Sequence, residues 1–274
     1  MDLRTSDVPV FVLCGGLGTR LKEETELRPK PMIEIGNRPI LWHIMRKYSQ
    51  HGFRRFVLCA GYKAAVIKSY FLNYAALQTD FTVHLGSGIA QGTHVPSQTT
   101  FHSDNHVLDW EVTVAQTGEL TMTGARVFKA ASQYLGNAEH FAVTYGDGLT
   151  DADLLDEYRL HVREGRIATV LGINPPSRFG ELRAEGNKVQ EFAEKPKFTN
   201  RWVNGGYFFF HRKVLSYLNA SEDCVLEQEP LVRLVKDGQL TLYKHEKFWA
   251  CMDTQRDKEH LEQLWASGNV PWAR

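Results

Sequence analysis

Apolar runs alternate with amphipathic stretches along most of the chain. The apolar runs predict β-strands at 8–14, 53–60, 110–116, 140–145, 167–173, 203–210 and 240–245. Helical periodicity predicts helices at 40–51, 63–74, 124–135, 152–164, 226–236 and 254–265. A repeated β-then-α order is typical of an α/β fold with a Rossmann-like, mostly parallel sheet and helices on both faces. In such a sheet, ligands bind at the carboxyl ends of the strands.

Some segments depart from this order. Residues 86–106 are rich in Gly, Ser, Thr, His and Asn with little periodicity, which predicts a functional loop or a subunit contact. Alternation at 181–192 predicts a small β-hairpin added to the sheet. Asp151 is the predicted N-cap of the helix 152–164, and Asp253 or Thr254 that of the last helix. Without internal repeats, the sequence predicts a single domain over residues 1–274.

Composition narrows the class of partner. The 274 residues carry a formal net charge of zero, so no global basic field would recruit nucleic acid or an anionic membrane. Anion binding must then be local, which favours a small charged substrate. The cysteines Cys14, Cys59, Cys224 and Cys251 form no Cys-x-x-Cys pair and lie in or beside apolar stretches, where a thiol behaves as a small hydrophobe. The N-terminus has no signal-peptide pattern, so we expect a cytoplasmic protein.

The first apolar strand runs into a glycine-rich turn, Gly15-Gly-Leu-Gly-Thr-Arg20. Exposed backbone N–H groups of such a turn can surround a polyphosphate. Arg20 closes the turn, and Lys30 follows in an Arg-Pro-Lys-Pro-Met segment, so two cations come within reach of the same anion. The sequence therefore predicts a nucleoside triphosphate site, although a glycine turn that only ends a strand is the simpler alternative.

Two common phosphate loops do not fit this turn. A P-loop requires Gly-x-x-x-x-Gly-Lys-Ser/Thr, which the chain lacks. The dinucleotide fingerprint Gly-x-Gly-x-x-Gly fits Gly16 and Gly18 but finds Leu21 at the third glycine, and we predict no early helix after the turn. Kinase-type and NAD-dependent chemistry are therefore not expected.

Two aspartates are candidate metal ligands. Asp147 follows the apolar strand 140–145 and is flanked by Gly146 and Gly148, which allows backbone and phosphate to approach closely. A carboxylate at this position suits Mg²⁺, which takes carboxylate and phosphate oxygens. An ordinary Asp-Gly turn is the alternative. Asp253 precedes the last helix, and capping that helix is its alternative role.

The ordered motifs of the chain resemble a known family. These motifs are Gly15-Gly-Leu-Gly-Thr-Arg20, Lys30-Pro-Met-Ile-Glu-Ile-Gly, Ile40-Leu-Trp-His-Ile-Met, Tyr145-Gly-Asp-Gly, Glu194-Lys-Pro, Asn204-Gly-Gly-Tyr-Phe and Phe248-Trp-Ala-Cys-Met-Asp-Thr-Gln-Arg-Asp257. In order and spacing they resemble the sugar-1-phosphate nucleotidyltransferases, and within them the glucose-1-phosphate cytidylyltransferases. The resemblance spans nearly the whole chain. It implies a fold of the nucleotide-diphospho-sugar transferase type, Mg²⁺ as cofactor and a homo-oligomer.

The resemblance also implies roles for individual residues. Arg20, Lys30 and Asp147 would be catalytic, and Asp147 and Asp253 would bind the metal. The nucleotide would contact Leu13, Gly15, Gly16, Leu17, Gly18, Thr19, Thr121, Arg126, Gly146 and Gly148. The sugar phosphate would contact Gly180, Glu181, Glu194, Lys195, Asn204 and Gly205.

The implied reaction joins CTP and α-D-glucose 1-phosphate to give CDP-glucose and pyrophosphate. Another sugar 1-phosphate or another pyrimidine triphosphate would need the same chemistry and stays open at this point. A catalytically silent, nucleotide-sensing subunit is an alternative of another class. The presence of Arg20, Lys30, Asp147 and Asp253 together argues against it, since a sensor does not need all four.

Overall fold

The computed structural model describes residues 4–85, 98–102, 108–174, 181–193 and 202–273. Its strands are β1 (Val10–Cys14), β2 (Glu34–Ile35), β3 (Arg38–Pro39), β4 (Arg55–Ala60), β5 (Phe81–His84), β6 (Gln98–Phe101), β7 (Glu111–Gln116), β8 (His140–Tyr145), β9 (Gly148–Thr150), β10 (Ala168–Ile173), β11 (Glu181–Glu185), β12 (Lys188–Ala193), β13 (Val203–His211), β14 (Leu240–His245) and β15 (Trp249–Cys251). Its α-helices are α1 (Lys22–Thr25), α2 (Ile40–Gln50), α3 (Ala64–Leu72), α4 (Tyr74–Gln78), α5 (Thr123–Tyr134), α6 (Leu154–Glu164), α7 (Glu229–Lys236) and α8 (Gln255–Ala266).

A seven-stranded sheet in the order β14-β10-β13-β8-β1-β4-β7 forms the centre of the molecule. β1 is parallel to β4 and β8, β4 to β7, and β10 to β14. Only β13 runs antiparallel to its neighbours in this sheet. The predicted mostly parallel sheet is confirmed, and so is the small hairpin, formed by β11 and β12.

Strand β1 separates two apolar layers. Val10 and Val12 point to the layer that contains α2, whereas Phe11 and Leu13 point to the layer that contains α5. The strand is buried along its whole length, because successive side chains alternate between two covered faces. The prediction of helices on both faces is confirmed. In the described ranges every helix is too short or too polar to cross a lipid bilayer.

Local predictions failed at a few positions. α6 begins at Leu154, and its N-cap is Asp153, whose carboxylate accepts a hydrogen bond from the amide of Asp156 at 2.9 Å. The predicted cap, Asp151, instead accepts a hydrogen bond from the amide of Phe248 at 2.9 Å, so its role is to hold a distant loop. The short helix α1 follows the glycine turn, where we predicted no early helix.

The long polar segment also contains unpredicted structure. β6 lies within 86–106 and pairs with β5 in an antiparallel hairpin, so part of the segment is a strand. The rest of the segment, residues 86–97 and 103–106, lies outside the described residues.

Glu157 on α6 is a buried acid that forms no ion pair with any of the described residues. Its side chain is fully buried, and neither carboxylate oxygen has a hydrogen-bond partner among the described residues. Burial raises its pKa well above the ordinary value of 4.5, because the charged form loses its hydration. The folded protein therefore holds Glu157 neutral at a pH where the unfolded chain ionises it, and stability falls as pH rises above about 4.5.

Replacing Glu157 with glutamine should therefore raise the melting temperature at pH 8. Glutamine cannot ionise, so the variant avoids the cost of keeping Glu157 protonated in the folded state. Each unit by which burial raises the pKa of Glu157 corresponds to about 1.4 kcal/mol of unfolding free energy. The gain should be smaller at pH 4.5, where half of the unfolded wild-type chains also carry the proton on Glu157. Thermal unfolding of both proteins at the two pH values measures it, and an equal difference at both would contradict this account.

Candidate active site

The carboxyl ends of β1 and β8 open into a cavity of about 560 Å³. Most of the predicted site residues line it: Leu13, Gly15, Gly16, Gly18, Thr19, Arg20, Lys30, Thr121, Arg126, Gly146, Asp147, Asn204 and Asp253. The predicted residues Leu17, Gly148 and Gly205 are described but do not line it. Gly180, Glu194 and Lys195 lie outside the described residues, and of Glu181 only the backbone, in β11, is described.

At two positions of the glycine turn, a residue with a Cβ would be strained or would clash with a neighbour. Gly18 adopts the left-handed region at φ +65°, and its carbonyl accepts hydrogen bonds from the amide of Leu21 and the hydroxyl of Thr25. A Cβ at Gly15 would lie 2.1 Å from the guanidinium of Arg126. Gly16 is exposed, so the turn presents open backbone to the cavity.

Arg126 on α5 fixes the position of the glycine turn by hydrogen bonds to backbone carbonyls. It is only 4% exposed, and its guanidinium donates to the carbonyls of Gly15 at 3.0 Å, Gly118 at 2.6 Å and Glu119 at 2.9 Å, and to the Thr117 hydroxyl at 2.8 Å. The geometry therefore gives Arg126 a structural role: its hydrogen bonds connect the glycine turn to segment 117–119. Its predicted contact with the nucleotide stays a prediction.

Lys30 is placed by a tight turn. Residues Lys30–Met32 form a 3₁₀ turn, in which the amide of Ile33 donates to the carbonyl of Lys30 at 3.0 Å. The next residue, Pro31, packs on Gly146, where a Cβ would lie 2.7 Å from the proline ring. Glycine at 146 therefore lets the Lys30 turn lie directly against the segment that carries Asp147.

Asp253 reaches the same place through a pair of short strands. β9 and β15 are antiparallel, with Gly148 opposite Cys251. Beyond the pair, the amide of Met252 donates to the carbonyl of Asp147 at 2.9 Å. Two aspartates that are 106 residues apart in sequence are thereby brought side by side.

Four charged groups meet at this point. The Lys30 ammonium donates to Asp147 Oδ2 at 2.7 Å and to Asp253 Oδ1 at 2.6 Å. Arg20 donates to Asp253 Oδ2 at 2.7 Å. The carboxylates are about one quarter exposed and the Lys30 side chain is 13% exposed, so the two Lys30 pairs are only partly screened by water, whereas the Arg20 side chain is 71% exposed.

Lys30 and Asp253 are both charged at neutral pH. Burial alone would lower the pKa of Lys30, but the charge of Asp147 and the hydrogen bonds to Asp147 and Asp253 together outweigh burial and raise it. Burial would likewise raise the pKa of Asp253, but Lys30 and then Arg20 lower it. The stabilisation contributed by Asp253 is lost only in acid, as pH falls through its depressed pKa, and that of Lys30 only in strong base.

The capping alternative for Asp253 is wrong. Thr254 caps α8, in a capping box with Asp257 whose side chain accepts from the amide of Thr254 at 2.8 Å. The carboxylate of Asp253 is thus left to face Lys30 and Arg20. The other predicted cap, Thr254, is confirmed.

The acidic groups can hold a metal ion. Side-chain donor atoms of Asp147, Cys251 and Asp253 all lie within 4.8 Å of one another. Two carboxylates suit a hard divalent cation, and the Lys30 ammonium between them shows that the position accepts positive charge. Sequence reasoning missed Cys251, which ends β15 two residues before Asp253, with the buried Met252 between them.

Tyr145 and Thr123, which we did not predict as site residues, also line the cavity. The Tyr145 hydroxyl donates to Glu227 Oε1 at 2.5 Å, and the Thr123 hydroxyl donates to Glu227 Oε2 at 2.6 Å. The Asn204 amide donates to the Tyr145 hydroxyl at 3.1 Å, so the predicted Asn204 belongs to the same network. Thr121 is 3% exposed and accepts from Lys129 at 3.2 Å.

Comparison with known proteins adds the family context. A family model described as nucleotidyl transferase matches residues 10–255. The glucose-1-phosphate cytidylyltransferases of Salmonella typhi and Salmonella typhimurium are each 42% identical over 261 residues, which covers 95% of this chain and 97% of theirs. Among solved structures, HddC from Yersinia pseudotuberculosis is similar with a TM-score of 0.63 at 22% identity, over 94% of this chain and 99% of that one. At this identity the likeness supports the fold alone.

Proposed function

The chain belongs to the nucleotidyl transferase family, and from this premise we propose that it transfers the cytidylyl group of CTP to α-D-glucose 1-phosphate. The products are CDP-glucose and pyrophosphate. The observation that carries the reaction class is the meeting of Arg20, Lys30, Asp147 and Asp253 at one cavity beside the glycine turn. The choice of CTP and glucose 1-phosphate is supported by the nearly full-length similarity to two cytidylyltransferases.

The reaction is an in-line displacement at phosphorus. A phosphate oxygen of the sugar substrate forms a bond to the α-phosphorus, and the bond from that phosphorus to the bridging oxygen breaks as pyrophosphate leaves. Negative charge spreads over the phosphate oxygens in the transition state. Catalysis therefore depends on positioning and on fixed positive charge.

The residues of the cavity supply both the positioning of the substrates and the fixed positive charge. The amides of the glycine turn bind the triphosphate, Arg20 neutralises its outer phosphates, and Lys30 stabilises charge at the reacting phosphorus. Asp147 and Asp253 would hold Mg²⁺, which when bound screens the repulsion between phosphate oxygens and carboxylates. Residues between 15 and 253 all contribute to this one cavity, and we therefore propose that residues 1–274 form a single catalytic domain.

A substrate panel tests the proposal. Pyrophosphate release is measured with CTP, UTP, dTTP and GTP against several sugar 1-phosphates in the presence of Mg²⁺. CTP with glucose 1-phosphate should give the highest kcat/KM. A faster reaction with another pair would transfer the assignment to that sugar or base, and inactivity with every pair would favour the silent nucleotide-sensing subunit.

We further propose that the protein is a homo-oligomer. The β5–β6 hairpin is a separate two-stranded sheet, and its paired residues Phe81 and Phe101 are 46% and 44% exposed. A two-stranded hairpin with an exposed aromatic pair is marginal by itself in water and gains stability from a partner surface. Native mass spectrometry should find more than one chain per particle, and a monomer at micromolar concentration would contradict this.

A further inference from the structure

Lys30 lies where a metal ion would need to bind. Its ammonium contacts one oxygen of Asp147 and one of Asp253, at 2.7 and 2.6 Å, and Arg20 holds the other oxygen of Asp253 at 2.7 Å. A carboxylate oxygen that accepts such a charged hydrogen bond has to give it up, at least in part, to coordinate a metal. Lys30 and the metal therefore compete for the same oxygens.

The charges in the cluster are balanced. Two carboxylates face two cations, so the four groups sum to zero. A divalent cation added alone would leave the partly buried cavity with a surplus of two positive charges. A nucleoside triphosphate that arrives with the metal brings phosphates that can pair with Lys30 and Arg20, so this surplus does not arise.

The position of the Lys30 side chain allows such an exchange of partners. Its backbone is fixed by the 3₁₀ turn and by the packing of Pro31 on Gly146. Its Cβ lies beside the glycine turn, 3.4 Å from the place where a Cβ of Gly18 would be. From this fixed base the flexible four-carbon stem can point to the carboxylates or to a phosphate at the turn.

We infer that the Lys30 ammonium is the counter-ion of the metal site in the free protein. When nucleotide and metal bind, this ammonium moves away from Asp147 and Asp253 and pairs with the triphosphate instead. The inference rests on the proposed function. Metal and nucleotide then bind cooperatively: the protein alone holds divalent metal weakly, and the nucleotide strengthens metal binding by giving Lys30 another anion.

Metal binding without nucleotide tests this directly. Binding of Mn²⁺ is followed by electron paramagnetic resonance for the wild type, Lys30→Gln and Lys22→Gln. Lys22 on α1 is exposed, so the last variant removes one positive charge near the site without touching the aspartates. Lys30→Gln should bind Mn²⁺ at least tenfold more tightly than the wild type, whereas Lys22→Gln should differ by less than threefold. Equal affinity in Lys30→Gln and the wild type would overturn the inference.

Two more variants locate the effect. Adding Asp147→Asn to Lys30→Gln should abolish the gain in Mn²⁺ affinity, since it removes a ligand that Lys30 had occupied; a gain that persists would place the ion elsewhere and overturn the inference. Lys30→Arg keeps the charge and should bind Mn²⁺ as weakly as the wild type. All variants are checked for folding by circular dichroism. The proposed function is tested separately, by turnover of the wild type, so either idea can fail while the other stands.

Discussion

Replacing Lys30 with alanine is expected to lower kcat for pyrophosphate release from CTP and glucose 1-phosphate by roughly a thousandfold, the scale of losing one fixed charge at a transition state. The Lys30 side chain is 13% exposed and its ammonium contacts two carboxylates, so the charge is in position before the substrate arrives. The variant also leaves Asp147 and Asp253 facing each other, which adds repulsion to the phosphates that must enter.

The Lys30→Ala variant should still fold, because Lys30 forms hydrogen bonds in the wall of the cavity and does not belong to either of the two apolar layers. Lys22→Ala is the matched control: it removes an exposed lysine of the neighbouring helix α1 and should keep wild-type turnover. Wild-type rates in Lys30→Ala would contradict the assigned role. An unfolded variant would instead indicate that the ion cluster is needed for stability.

Replacing Asp147 with asparagine should lower kcat by roughly a hundredfold to a thousandfold and raise the metal concentration needed for half-maximal rate. Asparagine keeps the size of the side chain but removes the charge that attracts the divalent cation. Asp253→Asn should act in the same direction. Initial rates over a Mg²⁺ titration measure both effects.

The control for this pair is Asp109→Asn, which neutralises an exposed aspartate just before β7 and should follow the wild-type Mg²⁺ curve. A normal curve for Asp147→Asn would remove this residue from the metal site. Loss of activity without a change in metal dependence would indicate that Asp147 acts through Lys30 alone.

The sequence alone determined the layered architecture and part of the site. Alternating apolar residues on either side of β1, such as Phe11 and Val12, require two covered faces, and this period is a local property of the chain. The glycine turn and Asp147 could be located for the same reason, since each follows directly from a strand that the pattern predicts. Lys30 could be predicted from its position after the glycine turn, and the motif resemblance strengthened the prediction for Asp253, but neither showed how the two residues meet.

Only the tertiary structure decided which distant groups touch. β9 and β15 have three residues each, too few to show a period, yet their pairing sets Asp253 and Cys251 beside Asp147. The same holds for Arg126: its place on α5 could be predicted, but its four acceptors come from two loops, so its structural role depends on long-range packing. Local periodicity reports which side of an element is buried, whereas contacts between elements are fixed by the packing of the whole chain.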